Sequence, residues 1–227
     1  MLKNLHLTCL LAVFAMGMAA CVKNDAPVPT PQTVNVNVIN AVTDTVINFY
    51  INGTRQNSVT GIYPLGANGY TSLAVGQTTI AFRRLFDNQN FNYADTLFTL
   101  PVKLDSVASD VRYSLFVSGL TRKTAFVIKD TLTSDSKNAM LRFVEASPSV
   151  KGLRVYLNDT LRYTTSAFEQ TSAFIPVGNG KKELKIRGLN TDDVIYTTSF
   201  TLDVSRMYTL FSQGRSNGFR VGLTINQ

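Results

Sequence analysis

The second half of this chain repeats the first, and no other feature constrains the fold as much. Leu141-Arg142-Phe143-Val144-Glu145-Ala146-Ser147-Pro148 is followed by Leu153-Arg154-Val155-Tyr156-Leu157-Asn158-Asp159-Thr160. Earlier, Val36-Asn37-Val38-Ile39-Asn40-Ala41 is followed by Ile47-Asn48-Phe49-Tyr50-Ile51-Asn52-Gly53-Thr54, so Tyr50, Asn52 and Thr54 match Tyr156, Asn158 and Thr160. The correspondence continues in order. Leu73-Ala74-Val75-Gly76 matches Ile175-Pro176-Val177-Gly178, and Ile80-Ala81-Phe82-Arg83 matches Leu184-Lys185-Ile186-Arg187. Tyr113-Ser114-Leu115-Phe116 matches Tyr208-Thr209-Leu210-Phe211. A period near ~100 residues implies two tandem domains, because solenoid repeats run ~20–50.

Each copy reads as β throughout. Val34, Val36 and Val38 alternate with polar neighbours, as in a strand with one buried face. Asn52-Gly53 and Asn158-Asp159 are dipeptides that tolerate the positive φ of a tight hairpin. Gly76 separates two strands. Pro101 implies a strand end or a sheet edge, since proline donates no ladder hydrogen bond. Lys181, Glu183, Lys185 and Arg187 alternate with Leu184 and Ile186, which puts the charges on the solvent face. No helical period appears. About seven short strands per copy predict an all-β fold of two tandem immunoglobulin-like antiparallel β-sandwich domains. The expected boundaries are residues 1–20 for a signal peptide, 21–33 for a tether, 34–132 for the first repeat, 133–138 for a polar linker and 139–227 for the second repeat.

The order Phe143-Val144-Glu145-Ala146-Ser147-Pro148, Val155-Tyr156-Leu157-Asn158, Pro176-Val177-Gly178, Leu184-Lys185-Ile186-Arg187, Tyr208-Thr209-Leu210 resembles the domain-of-unknown-function 4397 family. The resemblance covers Met140 to Gln227 closely and Val34 to Leu132 more loosely. It implies a tandem domain of a bacterial envelope protein, often a lipoprotein, and no established chemistry. Ser149 and Arg154 stand where the family often carries acids.

The amino terminus predicts the address. Lys3 precedes an apolar run from Leu5 to Met16, which is too short to span a bilayer and fits a secretory signal. Met18-Ala19-Ala20-Cys21 resembles a bacterial lipobox, with ordinary signal cleavage beside an incidental Cys as the plainer reading. Lipidation is expected at Cys21, with the membrane as partner through that anchor and outer-membrane sorting from Val22. Pro27, Pro29 and Pro31 make an extended spacer. Cys9 leaves with the signal, so no internal disulfide is expected.

Catalytic signals are poor. The only histidine, His6, lies in the leader, which removes Ser-His-Asp and Cys-His arrangements and His-ligated zinc from the mature chain. Asp192-Asp193 sits where a turn is expected. No catalytic residue, metal or cofactor is expected. The formal net charge of +7 favours anionic partners such as lipid A phosphates or acidic glycans, against the plainer reading of a solvated surface. Nucleic acid is not expected, because no basic stripe is interleaved with exposed aromatics.

Two further features point to the surface. Asp-Ser/Thr-apolar occurs five times, which makes Thr45, Thr96, Ser106, Thr131 and Thr160 candidate O-glycosylation sites. Turn aspartates before strand-forming residues account for part of that excess. After Arg83 the first copy carries a longer segment, Leu85 to Asp95, mixing aromatics with amides. Asn90, Phe91 and Tyr93 form a candidate binding loop for a glycan or protein, unless the rings fold back onto the sandwich. A non-enzymatic envelope binding or adhesion module is expected, with a structural subunit of an outer-membrane assembly as the alternative.

Overall fold

The structure is a computed structural model that describes residues 31–85, 96–105, 108, 111–133 and 135–226. The first repeat contains β1 (Thr33–Asn40), β2 (Ile47–Ile51), β3 (Thr54–Arg55), β4 (Ala67–Ala74), β5 (Gly76–Arg84), β6 (Thr96–Leu104), β7 (Val111–Val117) and β8 (Ala125–Thr131). The second contains β9 (Met140–Val144), β10 (Leu153–Leu157), β11 (Thr160–Thr165), β12 (Ile175–Pro176), β13 (Gly180–Gly188), β14 (Val194–Leu202), β15 (Met207–Gln213) and β16 (Arg220–Ile225). Among the described residues the only helical segments are the 3-10 turns Arg122–Thr124 and Ser216–Gly218.

Both repeats use one plan. In the first, the sheet β4-β1-β7-β8 covers the sheet β3-β2-β5-β6. In the second, β12-β9-β15-β16 covers β11-β10-β13-β14. The alternation read from sequence explains the layers. Val34, Val36 and Val38 of β1 meet Phe49, Ile80 and Phe82 of the facing sheet, with Tyr113 and Leu115 of β7. Leu141 and Phe143 meet Val155, Leu184, Ile186 and Leu210 in the second core. The charged alternates of β13 stay outside, since Lys181 and Glu183 are exposed while Leu184 and Ile186 are buried.

The hairpins form where the dipeptides predict. Asn52 and Gly53 take φ 50° and 77°, and Asn158 and Asp159 take 48° and 60°, the two positive values that a type I′ turn requires. Pro101 does not end β6. The strand runs on to Leu104, and Pro101 is tolerated because β6 is the sheet edge beside β5.

Within the sandwiches one pair per repeat is parallel, where wholly antiparallel pairing is the sequence expectation. β1 runs alongside β7, and β9 alongside β15. The chain satisfies the long crossover that parallel strands need by passing through the opposite sheet between them. The repeats differ most at β4. That strand pairs with β1 from Thr33↔Ala74 to Ile39↔Ala67, whereas β12 keeps only two pairs with β9. An irregular segment replaces the missing ladder there, with Ser172 N–H donating to the Phe143 carbonyl and Glu145 N–H to that of Gln170.

Gln32–Gln227 form one compact unit. Besides the two sandwich cores there is a third buried cluster, formed by Ile39, Ala41 and Phe116 of the first repeat with Val144, Ala146 and Phe211 of the second. β1 therefore has one buried face only near its start. From Val36 onward both faces are buried, including Asn37 and Asn40 at 0% exposure, because the second repeat covers the side that alternation assigns to solvent.

Candidate functional site

The seam between the repeats holds the most developed polar site among the described residues. Arg142 lies on the outer face of β9, its side chain 3% exposed, and faces the fully buried carboxylate of Asp130 on β8. Arg142 Nη1 and Nη2 donate to the two Asp130 oxygens, the latter at 3.0 Å. Its Nε donates to Thr209 Oγ1 at 2.8 Å, and Nη2 also reaches Ser114 Oγ at 3.3 Å. Ser114 Oγ in turn donates to Asp130 at 2.6 Å. The Phe174 ring closes the remaining side, 4.6 Å from the guanidinium carbon. A buried ion pair survives only when the donors and acceptors around it are met, and here they are.

The network crosses the seam a second time. Thr209 Oγ1 donates to Asn226 Oδ1 at 2.6 Å, and Asn226 Nδ2 donates to the Tyr70 hydroxyl on β4 at 3.2 Å. Burial holds the Tyr70 hydroxyl above its ordinary value, against the opposing Asn226 bond. Beyond the polar network Phe211 lies flat against Gly222. A Cβ there would sit 2.2 Å from the ring, so only glycine lets Phe211 reach Phe116 across the seam, at 5.7 Å between centroids.

Two clefts open at the seam. One, of about 380 Å³, lies beside the start of β9 and β15; Asp130 and Arg142 form part of its lining, with Phe174, Met140, Met207 and Thr171 around them. The other, of about 320 Å³, lies past the ends of those strands, between Val42 and Thr43 of one repeat and Pro148 and Ser149 of the other. The first offers an aromatic ring, two thioethers and hydroxyls above an already satisfied charge pair. That lining suits a ligand with one apolar face and a few polar groups.

A second buried acid sits just beyond β9. Glu145 is 0% exposed, and burial holds its carboxyl above the ordinary value, only partly offset by hydrogen bonds from Thr165 and from Gly152 N–H. Its Oε2 has no hydrogen-bond partner among the described residues.

The residues proposed from sequence are scattered. Cys21, Ser106, Asn90, Phe91 and Tyr93 lie outside the described residues. Thr96, Thr131 and Thr160 are exposed at strand ends. Thr45 is buried at 9% exposure, and its carbonyl accepts from Asn40 Nδ2, so its hydroxyl would need local opening to be modified. Asp192 staples a turn, accepting from Arg154 Nη2 at 3.0 Å. Among the described residues no group of three or more His, Cys, Asp or Glu is placed to hold a metal ion. Nothing in the sequence marks Arg142, Asp130 and Asn226 as seam partners. The available clue was an apolar residue on the supposed solvent face, Ile39 in one copy and Val144 in the other.

A family model described as a domain of unknown function (DUF4397) matches residues 34–156 and 139–226. No curated protein matches the chain.

Proposed function

The chain belongs to the DUF4397 family, and from that footing we propose that it is a non-enzymatic lipoprotein of the outer membrane that serves as a binding or adhesion module. The observation that carries the binding role is the cleft of about 380 Å³ lined by both repeats, with Phe174 and paired methionines over a satisfied Arg142–Asp130 floor. Met18-Ala19-Ala20-Cys21 and the proline-rich spacer support the anchor. The lack of histidine after the predicted leader leaves no histidine-based acid–base catalysis to that part of the chain. The ligand class that fits is a glycan, whose rings stack on aromatic faces and whose hydroxyls take the Thr171 and Ser172 side chains.

The test uses the chain lacking its leader on arrays of acidic and neutral glycans. Phe174→Ala is expected to weaken the best ligand at least tenfold, and Phe91→Ala with Tyr93→Ala tests the loop in the same assay. Wild-type affinity in both variants would remove both sites. Labelled fatty acid is expected to enter the wild type and not Cys21→Ala; equal labelling would remove the anchor.

A second reading, an accessory subunit of a membrane assembly, is favoured by Val59 and Tyr63. These residues, in the loop between β3 and β4, are 73% and 60% exposed. Crosslinking on intact cells distinguishes the two, since one membrane protein captured through that loop would favour the assembly.

A further inference from the structure

We propose that the seam face is also a docking surface for a second copy of this chain, with the first repeat of one molecule pairing with the second repeat of another. The seam is built on a near two-fold plan. Equivalent residues meet or share one cluster: Phe116 with Phe211, Ile39 with Val144, Ala41 with Ala146. Ser114 donates to Asp130, and at the matching positions Thr209 donates to Asn226. Each repeat thus meets the other with a face of equivalent layout, so two copies that exchange repeats would make two such seams related by a two-fold axis.

Its polar arms reach in one direction only. Arg142 of the second repeat grips Asp130 of the first, yet the residue at the matching position of β1, Asn37, leaves both amide atoms without a partner among the described residues. Gln213 Nε2 of the second repeat donates to the Val42 carbonyl of the first at 2.8 Å. The matching Ser118 leaves its hydroxyl without a partner among the described residues. Two second repeats face to face would therefore bury two guanidinium groups without carboxylates. Two first repeats would bury two carboxylates without guanidinium groups. Only unlike faces match, because an uncompensated buried charge is strongly unfavourable.

The first repeat is joined to the second by a short span in which Thr133, Ser136 and Lys137 are exposed. When the seam opens about this span, the face it uncovers finds the same complement on any other copy. A closed dimer then contains two seams, each with one Arg142 and one Asp130.

Asp130→Arg and Arg142→Asp, made singly in the chain lacking its leader, test this. Each variant alone has like charges at every seam it can make, within a molecule or between molecules. Mixed, unfolded and refolded together, they are expected to give a heterodimer with one native and one reversed seam, doubling the mass seen by light scattering. The double variant in one chain is expected to return to a monomer, which shows that the reversed pair is tolerated. A mixture that stays monomeric while the double variant folds overturns the proposal. Should the double variant fail to fold, removal of residues 133–137 from the otherwise natural chain decides. That removal withdraws about 17 Å of reach and is expected to give dimers, so a compact monomer there also overturns it.

Discussion

At equivalent points of the same strand the first repeat places Asn37 and the second Arg142, and both are buried. Arg142 has an ion pair, two hydroxyl partners and an aromatic cover. Asn37 has none of these among the described residues. Three residues further along, the same comparison reverses. Asn40 is fully met, donating to the Thr45 and Ile62 carbonyls at 2.8 Å and accepting from Val42 N–H at 2.9 Å. Its counterpart Glu145 leaves one oxygen unmet among the described residues. The backbone around them is the same in both copies. Asn40 pairs with Leu65 and Gly66, Glu145 pairs with Glu169 and Gln170, and Leu65 and Glu169 both take positive φ. Duplication thus preserved the main-chain frame, while the side chains at the seam diverged into a donor half and an acceptor half.

The largest effect expected from perturbing this pair of repeats comes from the cores. Val155→Asp, and Phe49→Asp at the matching position, each put an unpaired charge at 0% exposure. Each should cost more than about 4 kcal/mol and unfold its own repeat. The informative measurement is amide exchange in the other repeat. Protection lost there as well would show that the seam makes the two fold together, and full protection would mean that each stands alone.

Next come the seam positions. Arg142→Ala strands Asp130 and should cost about 3–5 kcal/mol. Asn37→Ala removes atoms that make no bond and should cost under about 1 kcal/mol, or stabilise. Urea unfolding of the two variants side by side checks the asymmetry, and equal losses would contradict it.

A smaller effect concerns acidity. Glu145 has an ordinary value of 4.5 that burial raises in the folded chain. Its contribution to stability is therefore fully present below 4.5 and is lost as pH rises through the folded value. Glu145→Gln should flatten that decline and gain about 1 kcal/mol at pH 7, whereas Asn40→Asp should introduce a loss of the same sense in the first repeat. Thermal midpoints from pH 4 to 8 would show it, and parallel pH profiles for wild type and Glu145→Gln would count against it.

The smallest effect lies on the outer sheets. Lys185 pairs with Asp159 at the surface of the second repeat, and Ala81 holds the matching place in the first. Lys185→Ala makes the copies alike and should cost at most about 0.5–1 kcal/mol, less in high salt. A larger, salt-independent loss would mean the lysine stem is packing rather than pairing.

Much of each sandwich could be read from the chain. The hairpins at Asn52 and Asn158, the break at Gly76 and the buried side of β13 follow from φ preference and period-two alternation, which are local properties. The seam could not be read so directly. Asn37 looks like a solvent-facing residue to any alternation argument, because a strand with both faces covered shows no period, and its second cover arrives from a distant part of the chain. The partnership of Arg142 with Asp130 likewise depends on how two sheets are brought together, a distance that sequence spacing does not encode. The shrinkage of β12 to Ile175–Pro176 was hidden because the matched block Ile175-Pro176-Val177-Gly178 implies a strand as long as β4.

The parallel pairing of β1 with β7 also sets an order of events when the chain folds. Asn37 sits opposite Ser114, and Arg142 opposite Thr209. In each repeat the first strand to emerge must wait for nearly the last before it has a neighbour on that side. Closing a loop of that length costs about 4 kcal/mol of chain entropy before any contact repays it. Local hairpins such as β10–β11 therefore form early, and the first strand docks late, which places this chain among slow, non-local folders. Until β7 is in place, β1 keeps a row of unpaired backbone N–H and C=O groups along that side, an open sheet edge. The interval before that pair closes is when the chain most needs protection from its neighbours.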